Sequence, residues 1–245
     1  MKKSNKIFWI GLGSMFVVVF IMTTPFRVLN AEPQSETFVS VTTTSTGKKI
    51  VGNDTLITKF TTVASFDTIN VSGNFAVTLN PGSAPRVAVT ADENIMPYLK
   101  VGVSRGALNL GVQSGLSILS SQSQKAVITS STVKKINFMG NNRLDAKKIT
   151  GETFVLDLSG NEEVHLAGEV KNLTLNAFGQ ATVYAKDLKA ENVTISGAGN
   201  VDATVSVVKK LTVTASGKSD IKYYGNPEVN KTAFGFVTIQ KMGQP

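Results

Sequence analysis

The sequence predicts an all-β protein, read as a right-handed parallel β-helix or β-solenoid-like stack with coils of about 19 residues. Three observations carry this reading. Glycine recurs at near-constant spacing, apolar residues stand at fixed even offsets from each glycine, and a polar residue stands three before each of them. Short strands at regular spacing also suit a β-sandwich, which stands as the alternative.

The chain opens with a segment that does not belong to that pattern. In residues 1–31, Lys2, Lys3 and Lys6 precede an almost unbroken apolar stretch from Ile7 to Thr24. This is the arrangement of a signal peptide, or of an N-terminal membrane anchor if it is not cleaved, so residues 7–24 are a candidate membrane tether. Export to the periplasm or cell surface of a bacterium follows, with inner-membrane anchoring as the alternative. The chain has no cysteine, which excludes lipid attachment through a thiol, disulfides and thiolate metal sites. Outside residues 1–31 the balance is 21 basic against 17 acidic side chains, a net of +4. With no basic block longer than two residues, no nucleic-acid partner is expected.

Residues 32–59, including "SVTTTSTGKKIVGN", are rich in Ser and Thr without a sustained period and read as a linker. Residues 60–125 form the N-terminal β part. "FDTINVSGNFAVTLN" alternates on both sides of Ser72 and Gly73, and "RVAVT", "LKVGV" and "ALNLGV" are strand-like. "ADENIMPYL" reads as a connector with room for one helical turn, and the serine-rich 113–125 as a loop.

Residues 126–245 form the repeat part. "FMGNNRL", "LSGNEEV", "AFGQATV", "ISGAGNV" and "ASGKSDI" place glycines at Gly140, Gly160, Gly179, Gly197 and Gly217. Four residues before them stand Ile136, Leu156, Leu175, Val193 and Val213, and two before stand Phe138, Leu158, Ala177, Ile195 and Ala215. Four after stand Leu144, Val164, Val183, Val201 and Ile221, while the position three before is always polar. An offset of two is the strand period, so one face of each strand is core and the other water. The glycines then mark coil corners, where a positive φ or the next coil's backbone leaves no place for a Cβ. Gly73 fits the same offsets, with Ile69, Val71 and Val77 inward. A phosphate-binding loop would occur once and open a helix, and neither holds here.

The stretch from Phe66 to Leu79, "VAVTADENI" from Val87, "ALNL" and the recurring "LSGN" and "ISGAGNV" resemble the head GIN domain of auto-transporter adhesins over about residues 60–225. The resemblance implies a β-solenoid-like fold and a surface or adhesive role, with no catalytic set to carry over. The end of the chain, "FGFVTIQKMGQP", is expected to leave no room for a translocator barrel.

Candidate chemistry is sparse. His165 is the sole histidine and lies on the outward side beside Val164, where it reads as a solvated surface residue near Glu162 and Glu163. Stacked offsets mix acids and bases in each outward column, so no catalytic residues, metal site or cofactor are expected. Asn141, Asn161 and Gln180 follow three successive glycines and form either an amide ladder between coils or a ligand row. The expected function is a non-catalytic, adhesin-like envelope protein that binds glycans or cell-surface components. A structural envelope subunit with a protein partner and a polysaccharide-acting enzyme are the alternatives.

Overall fold

The computed structural model describes residues 47–243, so the proposed signal or anchor and most of the linker lie outside the described residues. Among the described residues the chain is all-β apart from one 3-10 turn, Met96–Tyr98, inside the "ADENIMPYL" connector. Its main sheet has nine strands and wraps almost to closure around a single apolar core.

The strands are β1 (Lys48–Val51), β2 (Leu56–Thr62), β3 (Thr68–Gly73), β4 (Phe75–Asn80), β5 (Arg86–Asp92), β6 (Leu99–Ser104), β7 (Ala107–Val112), β8 (Leu116–Leu119), β9 (Gln124–Thr129), β10 (Lys135–Tyr224) and β11 (Glu228–Lys241). β10 is a ribbon of 90 residues that turns repeatedly and lies on itself. Its start pairs in parallel with β3, Ile136 opposite Ile69 and Gly140 opposite Gly73, and then with β4, Leu144 opposite Val77. Its end pairs in parallel with β11, Gly217 opposite Gly235. At the other end of the stack β7 and β9 lie parallel to β3 and β4, and antiparallel partners finish the sheet: β6 on β7, then β5 on β9 and β2 on β5. Parallel in-register pairing puts like residues over like, so each inward column of Ile, Leu, Val and Phe becomes a continuous strip of core.

The corners run through Gly73, Gly140, Gly160, Gly179, Gly199, Gly217 and Gly235, each with φ between 92° and 130°. A Cβ on Gly160 would meet the carbonyl oxygen of Gly140, and one on Gly140 that of Gly73, so side chains are excluded twice over, by φ and by the coil beneath. The fourth corner of the repeat is therefore Gly199, not Gly197. Gly197 lacks the positive φ, points inward and packs against Val201.

Two other expectations change. The stretch read as a linker to residue 59 is not free of strands, because β1 lies within it and β2 starts in it at Leu56. The serine-rich 113–125 stretch is not a plain loop: it holds β8, which pairs in parallel with β1, Ile50 opposite Ile118. Buried Asp92 ties these segments down, accepting hydrogen bonds from the Asp54 N–H at 2.7 Å and the Ser120 hydroxyl at 2.6 Å.

Candidate functional site

The corner line divides a strip of surface into columns whose chemistry is set by their offset from the glycine. Three residues before the corner stand Asn70, Asn137, Asp157 and Asn176, with Asn109 of β7 beside Asn70. Asn137 Nδ2 donates to Asn70 Oδ1 at 2.6 Å, Asn70 Nδ2 to Asn109 Oδ1 at 2.9 Å, and Asn176 Nδ2 to Asp157 Oδ1 at 2.7 Å. Lys135 Nζ lies 2.7 Å from the other oxygen of Asp157. Asn109 spends its Nδ2 on the Ser104 hydroxyl at 3.0 Å and the Ala107 carbonyl at 3.1 Å, while Asn70 and Asn137 each donate one bond within the ladder and keep part of their hydrogen-bonding capacity.

One residue before the corner stand Met139, Ser159 and Phe178 in three successive coils. Met139 is 63% exposed and Phe178 56%. Strand spacing puts them roughly 9–10 Å apart, two coils, with the small Ser159 between them. Together with Val112 and Lys100 and the Asn109–Asn137–Asp157 row they line a depression of about 490 Å³.

On the other side of the corner Asn161 Nδ2 donates to Asn141 Oδ1 at 2.9 Å. Asn141 Nδ2 reaches Asn74 Oδ1 at a long 3.5 Å, and the Ser123 hydroxyl donates to that same Asn74 oxygen at 2.8 Å. Gln180 continues the column, and Asn200 follows it once the corner is placed at Gly199. Asn74, Asn141 and Asn161 line a second, polar depression of about 350 Å³ with Arg143, Glu163 and Tyr184.

Beneath that row, two residues after the corner, the column turns inward and carries Phe75, Asn142, Glu162, Ala181 and Val201. Glu162 is 3% exposed, although its neighbour Asn161 is exposed and Glu163 half-buried. Asn142 donates to it twice, from its backbone N–H at 2.9 Å and from Nδ2 at 3.2 Å, and accepts the Phe75 N–H at 3.1 Å. Burial pushes the Glu162 carboxyl up to about 7, against the two Asn142 hydrogen bonds that favour its ionised form. Polar residues in two adjacent coils, Asn142 and Glu162, at an offset that holds Phe75, Ala181 and Val201 in other coils were the signal that could have found it.

His165 is not simply solvated. Its Nε2 lies 2.9 Å from Glu163 Oε1, its ring stacks on Tyr184 with centroids 4.6 Å apart, and Arg143 Nη1 donates to the same Glu163 oxygen at 2.7 Å. Arg143 and Glu163 neutralise one another, and the histidine is held flat against the tyrosine. Among the described residues there is no group of three or more His, Cys, Asp or Glu side chains able to hold a metal ion, and no helix long and apolar enough to cross a membrane.

These features define a class: an all-β protein whose coils stack on a line of glycines and display columns of side chains along an extended face. The chain belongs to the family described as "putative auto-transporter adhesin, head GIN domain", whose model matches residues 65–227. Solved structures similar to it share the fold. A protein from Bacteroides fragilis described as a "putative adhesin" is 21% identical, with TM-score 0.65 over 79% of this chain and 100% of that one. One of the same description from Parabacteroides distasonis is 18% identical, with TM-score 0.51 over 80% and 100%. A third from Parabacteroides merdae, also a "putative adhesin", is 18% identical with TM-score 0.50 over 80% and 99%. No curated protein sequence matches the chain.

Proposed function

We propose that this protein is an exported, non-catalytic, adhesin-like module of the bacterial envelope that binds glycans in the slot between Met139 and Phe178. The family's description as adhesins supports the class of role, and the basic start with its apolar stretch at residues 7–24 supports export. We take the coils to be wound as a right-handed parallel β-helix, the hand that strand twist favours for parallel crossovers.

One observation carries the ligand class. An exposed phenylalanine and an exposed methionine face each other across Ser159, with a row of partly free carboxamides and a carboxylate alongside. A pyranose has the matching amphipathic shape, with C–H faces that pack on an aromatic ring and equatorial hydroxyls that bond amides and carboxylates. The slot spans about two coil spacings, the width of a single ring. The Asn141–Asn161 row lies beside Tyr184, whose ring is stacked on His165, and has no exposed apolar pair like Met139 and Phe178, so it is secondary for binding.

The test is binding of the full chain in mild detergent to an array of bacterial envelope polymers and host glycans, at low and at physiological salt. Saturable binding to one glycan class that survives physiological salt is expected. Binding that disappears with salt would mean only charge attraction from the net basic surface, and would sink the glycan reading.

A further inference from the structure

We propose that the last strand, β11, is a homodimerisation edge that pairs antiparallel with β11 of a second copy about a two-fold axis through Gly235. One edge of β11 pairs with β10 along its whole length, from Glu228 opposite Lys210 to Lys241 opposite Tyr223. Among the described residues no strand pairs with the other edge. A long edge of unpaired backbone groups is a template for strand addition.

The surface chemistry changes at this coil. The residues flanking the corner are Ser216 and Lys218 in the coil beneath, but Phe234 and Phe236 in β11, 65% and 86% exposed. The half-buried Val229, Val237 and Ile239 rest on the core and are covered from one side only.

Two arguments select a second copy as the occupant. The first is shape. β11 bends at Gly235, φ 97°, into arms of similar length, Glu228–Phe234 and Phe236–Lys241. A straight foreign strand could follow one arm only, whereas a two-fold axis along the bisector of the bend lays the strand on its own copy over both arms.

The second is sequence. Residues 230–240 read "NKTAFGFVTIQ", close to a chemical palindrome centred on Gly235. In that register Phe234 faces Phe236 of the second copy, Ala233 faces Val237, Thr232 faces Thr238 and Asn230 faces Gln240. These are aromatic, aliphatic, hydroxyl and amide pairs, each favourable directly across an antiparallel ladder. Lys231 meets Ile239 rather than another cation, and Glu228 falls beside Lys241. Parallel pairing of the same strands would instead put Lys231 over Lys231 and Glu228 over Glu228. The dimer would carry two copies of the slot on one rigid body, so attachment to a surface bearing many glycans gains from bivalency.

The absence of cysteine makes the test direct. Thr232→Cys and Thr238→Cys are made singly in the full chain, and each, then their mixture, is oxidised and run on a non-reducing gel. Opposed residues of a strand pair have Cα separations within disulfide reach, while residues several positions off register do not. The mixture is expected to give a disulfide-linked dimer at several times the yield of either variant alone. Cross-linking of Thr232→Cys with itself would mean parallel pairing, and no cross-link in any sample would mean a free edge; either overturns the proposal. As an independent readout, the unmodified chain is expected to sediment as a dimer and Phe234→Asp/Phe236→Asp as a monomer with unchanged circular dichroism. A monomeric parent chain would also overturn it.

Discussion

The two flanks of the glycine line are built from the same coils, with the same spacing and the same amide-rich composition, yet they are different kinds of surface. On the flank before the corner, Met139 and Phe178 stand exposed beside the Asn109–Asn70–Asn137 carboxamide ladder. On the flank after it, Asn141 and Asn161 close on each other and the next inward column holds the Asn142–Glu162 pair inside the core. The difference teaches that an amide row does not make a site. Both rows bond within themselves, so what separates the flanks is the apolar pair Met139 and Phe178 exposed beside one row, against Tyr184 stacked on His165 beside the other.

The comparison presupposes the corner, so the largest effect is expected from removing it. Gly160→Ala puts a Cβ against the Gly140 carbonyl at a positive φ, and a loss of about 3 kcal/mol or more is predicted by urea unfolding, abolishing both flanks together. A loss below 1 kcal/mol would show that the coils can slide apart at the corner without cost.

Next comes the buried flank. Because the Glu162 carboxyl is raised to about 7 when folded from 4.5 when unfolded, the folded state holds more protons between these values. Its contribution is fully present below pH 4.5 and is lost as pH rises through 7, a fall of roughly 3 kcal/mol. Glu162→Gln should flatten the stability profile across that window while keeping the packing of the column. A profile unchanged by the substitution would place the titration elsewhere.

Two smaller effects separate the flanks from each other. Phe178→Ala should weaken glycan binding about tenfold with little change in unfolding midpoint, since the ring is more than half exposed. Asn161→Ala should do the reverse, costing about 1 kcal/mol of stability for the lost ladder bond and leaving binding nearly intact. Equal binding losses from both would merge the two flanks into one site.

Most of this architecture is legible in the sequence because strand period and coil period reinforce each other at Ile136, Leu156, Leu175 and their partners. The misplaced corner shows the limit. "SGAGN" offers two glycines two residues apart, and a shift of two preserves every inward and outward assignment, so alternation alone does not separate Gly197 from Gly199. Only the stacking of Gly199 on the Gly179 carbonyl decides it. The same shift hid Asn200, which continues the amide column. β1 and β8 were not legible because each is four residues long, has no fully buried residue and pairs with a partner more than sixty residues away. The slot itself was missed because Met139 and Phe178 read as ordinary outward residues until the coils were stacked and Ser159 was seen between them.

The most direct test of the central claim is a binding isotherm of the full chain, Phe178→Ala and Asn161→Ala on the same glycan, at physiological salt. The account predicts that Phe178→Ala alone shifts the isotherm, by about tenfold. Loss of binding with Asn161→Ala and none with Phe178→Ala would contradict it and move the site to the other side of the glycine line.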